Sequence, residues 1–204
     1  MPWPLLLALA GCLTAGPVPE RFLVADPPVE AYAARLMQTI LAVTPHAHLA
    51  DRYSVHLARL DDWRGFGGLA TGPGILYVDA GLVRRAFEAP TSAYAIVVAM
   101  ILAHEIGHVV AGHPAQAMRA TRTRAVPDAH APARELEADR LAMGYWQALG
   151  WPCRLWTVRF EADVRAGRGT SQHPTSERLG QAVTLCGRAD PDALTVPTSE
   201  IMAR

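Results

Sequence analysis

The chain has 204 residues, half of them hydrophobic, and its 19 basic residues, all arginine, balance 19 acidic ones to a net charge of zero. That length suits one domain with room for a substantial core. The lack of a basic surplus excludes a charge-driven nucleic-acid binder.

Trp3 to Leu13 is an apolar stretch of signal-peptide length, too short to span a membrane. It contains Leu9-Ala10-Gly11-Cys12, which resembles the box at which bacterial lipoproteins are cut. The resemblance implies a lipoprotein-type signal peptide over 1–11 and a lipid on Cys12, with the chain anchored in the envelope, outer rather than inner membrane, and facing the periplasm. A linker over 12–28 follows, kept extended by Pro17, Pro19, Pro27 and Pro28. The domain is predicted over 29–190, and a loose polar tail over 191–204.

Within the domain, Val29 to Val43 has helical spacing at Tyr32, Leu36, Ile40 and Val43. Tyr53 to Leu60 alternates as a strand. Phe66 to Ala70 and Ile75 to Val78 read as a hairpin around Thr71-Gly72-Pro73-Gly74. A short helix from Asp79 to Phe87 precedes the longest apolar run, Ala95 to His113. That run also reads as a helix, with Thr91 or Ser92 to cap it and Gly112 and Pro114 to end it. Its apolar residues cover nearly the whole circumference, as in a helix buried in a core. Pro114 to Ala133 has few large apolar residues and reads as a solvated loop or lid. Helices follow over Arg134 to Leu149, Cys153 to Ala166 and Thr175 to Cys186. The predicted fold is α+β, mostly helical with a small sheet. With Cys12 set aside for lipid, Cys153 and Cys186 remain. Two cysteines left in an exported chain predict one disulfide, two buried free thiols being the alternative.

The chemistry lies in AHEIGH. On a helix, His104 and His108 are four residues apart and project from one face, so their imidazoles can share a metal ion. Glu105 adjoins the first histidine and can reach a water on that metal. In zinc peptidases this HExxH pattern lets zinc polarise a water whose proton the glutamate takes. Two core histidines satisfied by hydrogen bonds would show the same spacing. A catalytic zinc needs a third protein ligand, and Arg134-Glu135-Leu136-Glu137-Ala138-Asp139-Arg140 offers candidates. Glu135 and Asp139 share a helix face, and Glu137 points roughly opposite. One carboxylate of the pair can bind metal while the other accepts the free N–H of a ligand histidine. His46, His48, His56 and His130 read as ordinary surface or loop residues.

HEIGHVVAGH, then RELEADR, then His173-Pro174 with Glu177-Arg178, resembles the family of HtpX and CAAX prenyl protease-type zinc metallopeptidases, closest to its periplasmic, BepA-like members. The similarity covers roughly Tyr53 to Gly187. It implies a zincin-like domain of the gluzincin type and one Zn2+ held by His104, His108 and Glu135. Glu105 is then the catalytic base and Asp139 the group that orients a ligand histidine. His113 is common in the family and is not a ligand there. His173 is implied to face the metal, as an oxyanion stabiliser or as a fourth ligand that holds the enzyme latent, with Arg178 supporting the same side. The activity implied is endopeptidase cleavage of unfolded or misfolded envelope proteins. A zinc-bearing lipoprotein that binds clients without cutting them is the alternative. A metzincin is excluded, because Ala111 and Pro114 stand where its glycine and third histidine belong. The chain departs from the family at Gly67-Gly68, where an Asn-Ala pair is usual on the strand beside the cleft, and a flexible edge is expected there.

Overall fold

The structure, a computed structural model, describes residues 18–60, 67–122, 131–168 and 174–188. The leader and Cys12, His130, His173 and the tail over 191–204 lie outside the described residues.

The linker expected over 12–28 is, from Val18 on, part of the domain. Val18 is buried with Ala58, Leu60, Leu69 and Tyr77. Leu23 forms an antiparallel bridge to Ala58, Val24 N–H donates to Leu57 O, and Arg59 N–H donates to Phe22 O. Pro27 and Pro28 are not spacers. They open helix α1, Pro27–Leu41, where a residue without an N–H costs no helical hydrogen bond, and the Asp26 carboxylate ahead of them accepts from Val29 N–H. The helix buries Val29, Tyr32, Leu36, Met37 and Ile40.

Three strands form one sheet: β1, Ser54–Ala58; β2, Gly68–Ala70; and β3, Ile75–Asp79. Their order is β1-β3-β2, with β1 parallel and β2 antiparallel to β3. The turn between β2 and β3 needs Gly74, whose φ is +93° and whose missing Cβ would lie 2.6 Å from Arg52 O. Asp79 ends β3 and caps α2, Ala80–Glu88, by accepting from Leu82 N–H at 2.9 Å.

The motif helix is α3, Ala93–Val110. Ser92 stands at its N-cap position, but the hydroxyl makes no capping bond and its Oγ is buried without a partner. Among the described residues it is the one helix apolar and long enough to cross a membrane, yet 83% of that stretch is buried inside the domain. It touches α1, α2, β2 and β3. Its most extensive contact is with α5, Ala131–Ala148, which follows α4, His113–Arg122. The loop expected from Pro114 to Ala133 is thus helical in its first part. Its described buried side chains are His113, Pro114 and Ala117, none of them large and apolar. Helix α6, Arg154–Arg165, packs on α7, Thr175–Cys186, which in turn packs on α5. Cys153 and Cys186 form a disulfide with Cα atoms 5.1 Å apart, joining the start of α6 to the end of α7. Trp146, Trp156 and Phe160 fill the core between these helices, Trp146 edge-on to Trp156 at 5.8 Å.

Candidate metal centre

One turn of α3 places His104 and His108 side by side, and a glycine between them lets α5 come close. A Cβ on Gly107 would sit 2.6 Å from Ala138 O and 3.2 Å from Ala138 Cα. Only a residue without a side chain allows the two helix backbones to meet there. That approach brings Glu135 and Asp139, flanking Ala138 on α5, against the two histidines.

Three side chains converge. His104 Nε2 and His108 Nε2 are 3.0 Å apart, Glu135 Oε2 is 3.3 Å from His104 Nε2, and Glu135 Oε1 is 3.3 Å from His108 Nε2. All three residues are buried, and among the described residues they form the one group able to hold a metal ion. The donors fit zinc. Tetrahedral bonds of about 2.0–2.1 Å put neighbouring donors about 3.3 Å apart. Two imidazole nitrogens facing each other need a proton or a cation between them, since their lone pairs repel. Both Nδ1 atoms are engaged elsewhere, so the Nε2 atoms are the ones left to ligate. His104 Nδ1 lies 2.8 Å from Asp139 Oδ1, and His108 Nδ1 lies 2.8 Å from His113 Nδ1.

Each of the two histidines has its own support. Asp139 is held by Arg178, whose guanidinium also stands 4.8 Å over the Phe160 ring. His113 is buried, and its Nε2 is 3.2 Å from Glu137 Oε2. The reading of Glu137 as pointing away from the site is therefore incomplete: its backbone does, but its carboxylate reaches His113.

Glu105 lies on the sheet side of α3 and is 2% exposed. Strand β2 is the sheet edge there among the described residues. Its bonds to β3 run through Gly67 and Thr71, so by alternation Gly68 and Ala70 direct their backbone groups outward. Ala70 contributes a backbone hydrogen bond to the Glu105 carboxylate. Gly68 is not a flexible substitute. A Cβ there would lie 2.3 Å from Ile101 Cγ2 and 3.2 Å from Glu105 Cγ, so glycine is what lets β2 press against α3.

The electrostatics follow from burial and pairing. Burial pushes Glu105 up to about 7, with His104 opposing and Glu135 adding to the rise. Burial works against charge on His104, but the hydrogen bonds and charges of Asp139 and Glu135 more than offset it and push the imidazole up to about 10. Burial lowers His108, and burial with the neighbouring His108 brings His113 down to about 4. Burial would raise both Glu135 and Asp139. The two histidines hold Glu135 well below the usual carboxylate range, and Arg178, with His104, lowers Asp139.

The structure thus brings together His104, His108, Glu135, Glu105, Asp139 and Arg178, and pairs Cys153 with Cys186. His46 stands apart from the centre, bonded through Nδ1 to Tyr53 Oη at 2.5 Å. His113 and Glu137 form a pair beside the site that the sequence reading did not connect to it. The histidine so soon after the motif was the available signal. Comparison of the chain with protein families, with curated proteins and with solved structures finds no match.

Proposed function

We propose that the chain is a zinc-dependent endopeptidase of the bacterial envelope, a zincin-like domain of the HtpX and CAAX prenyl protease type. It is carried on a lipid at Cys12 and faces the periplasm. The observation behind this reading is the convergence of His104 Nε2, His108 Nε2 and the Glu135 carboxylate on one point, with buried Glu105 beside them.

Zinc bound by these three residues supplies a Lewis acid that polarises water and the scissile carbonyl. Glu105 takes a proton from the attacking water and hands it to the leaving amine. A carboxyl held up at about 7 suits both transfers near neutral pH. Asp139 accepts the Nδ1 proton of His104 and so keeps that imidazole's Nε2 turned to the ligand point. The outward backbone of β2, beside Glu105, suits an extended peptide that adds as a further strand. The substrates are unfolded or misfolded envelope proteins, by resemblance to the family. By the same resemblance His173 either stabilises the oxyanion or holds the enzyme latent. His173→Ala slows turnover in the first case and speeds it in the second.

The test is cleavage of an unfolded protein by chain beginning after Cys12, wild type against Glu105→Gln. Cutting by the wild type that vanishes in the variant supports the endopeptidase. Zinc bound with no cutting by either would replace it with a client-binding zinc lipoprotein, which has no use for a buried carboxylate at Glu105.

A further inference from the structure

We propose that His113 is a positioning residue for the metal: it accepts the Nδ1 proton of His108, relays its own Nε2 proton to Glu137, and so keeps the Nε2 lone pair of His108 turned to the ligand point. The inference rests on the reading of His104, His108 and Glu135 as ligands.

The geometry sets the direction of each link. His108 Nε2 is the nitrogen that faces His104 Nε2 at 3.0 Å and Glu135 Oε1 at 3.3 Å, so it is the one that ligates. A neutral imidazole ligating through Nε2 carries its one proton on Nδ1. That atom lies 2.8 Å from His113 Nδ1, and one proton serves the contact. His113 Nδ1 is therefore the bare acceptor, and the proton of His113 sits on Nε2. Nε2 lies 3.2 Å from Glu137 Oε2, which can only accept. Each link has one polarity, and reversing any of them would put the proton of His108 on its ligating atom.

The fold delivers His113 to this place. Helix α3 stops at Val110, Gly112 takes φ +73°, and the reversed chain opens α4 with His113 packed beside His108, 1% exposed. The two ligand histidines are thus supported differently. His104 leans directly on a buried carboxylate clamped by an arginine. His108 leans on a neutral ring that passes the demand to a carboxylate still 49% exposed. An orienting partner of this kind raises ligand basicity and fixes ring rotation, and its loss typically costs about 10–100-fold in metal affinity.

The test is zinc affinity of the purified full-length chain by competition with a chromophoric chelator, together with the visible spectrum of the Co2+ form. The variants are His113→Phe, His113→Asn and Glu137→Ala, each checked for folding by its melt without metal. His113→Phe keeps the ring volume and removes the acceptor. His113→Asn keeps an acceptor near the Nδ1 position but leaves space unfilled. Zinc affinity is expected to fall about 10–100-fold in His113→Phe with an altered Co2+ spectrum, and to stay within about threefold of wild type in His113→Asn. Glu137→Ala, on the exposed end of the relay, is expected to fall between them and tests the inference even if His113→Phe fails to fold. A mere packing role would reverse the order, with phenylalanine binding like wild type and asparagine worse, and would overturn the inference. Equal affinity in all four chains would overturn it as well. A wild type that binds no metal would overturn the ligand reading itself, and the inference with it.

Discussion

Arg178 grips Asp139 with two guanidinium nitrogens, Nε at 2.5 Å from Oδ2 and Nη2 at 2.8 Å from Oδ1, while Oδ1 also meets His104 Nδ1 at 2.8 Å. All three side chains are buried. A residue of α7 thereby sets the rotation of the His104 ring on α3. Arg178→Leu strands a buried carboxylate, and breaking such a pair typically costs about 3–5 kcal/mol. We expect that loss in denaturant unfolding of the metal-free chain, with zinc affinity down about 10–100-fold. Arg178→Lys, which cannot reproduce the planar two-point grip, should fall between. Unchanged unfolding and unchanged affinity in Arg178→Leu would show that the pair is idle.

Gly107 and Gly68 make a second prediction because both glycines are places where backbone meets its neighbour. Gly107→Ala drives a methyl into Ala138 O, and no side chain can move aside there. The helices must part, and Glu135 moves with α5. Metal affinity should fall by more than about tenfold, since ligand distances tolerate only about 0.2 Å. Gly68→Ala instead meets Ile101 Cγ2, a side-chain atom. Adding Ile101→Ala should therefore recover a large part of the lost stability. No recovery in the double variant would mean that β2 does not pack on α3 as described.

The parts of the site that lie on unbroken helices were legible in the sequence. The spacing of His104 and His108 follows from the helical period alone, and so does the shared face of Glu135 and Asp139. Which of the two carboxylates faces the paired Nε2 atoms did not follow from spacing, because it depends on how α5 is set against α3 at Gly107. The pair His113 and Glu137 was hidden for two reasons. The left-handed turn at Gly112 ends the periodicity that would have linked His113 to His108. Glu137 starts from another face of α5 and reaches the site only through the length of its side chain. Pro27 and Pro28 misled in a different way. Proline suits an extended linker and the first turn of a helix equally, and Asp26 ahead of them was the cue for the helix. Helix α4 escaped because its described buried side chains, His113, Pro114 and Ala117, offer no stripe of large apolar residues.

Metal binding should release a proton. Before a cation binds, His104 sits between Glu135 and Asp139 and is pushed up to about 10, so it is protonated through the neutral range. Ligation requires the neutral imidazole, and the proton must leave. The sign follows: affinity weakens as pH falls, by roughly tenfold per unit while His104 is protonated free and deprotonated bound. Calorimetric zinc titration in two buffers of different ionisation enthalpy should give about one proton released per metal near neutral pH. Chelation should abolish cleavage and lower the melting temperature, and zinc at about 100 times its Kd should restore about 2.7 kcal/mol. A pH-independent affinity would place the proton elsewhere.

The disulfide ties the helix pair that carries Arg178. Cys153 and Cys186 are separated by 33 residues, and on the chain-entropy account a loop of that size contributes about 3–4 kcal/mol by constraining the unfolded chain. Its removal acts on the unfolded state first, so the folded site should survive it. Cys153→Ala/Cys186→Ala should thus lower the melting temperature by roughly 6–16 °C for a domain of this size, while zinc affinity at a temperature where the chain remains folded stays within about threefold. If the affinity fell as far as in Arg178→Leu, the bond would be holding α7, and with it the Arg178–Asp139–His104 chain, in register rather than merely shortening the unfolded ensemble. Melting and zinc titration on the same two preparations separate these outcomes.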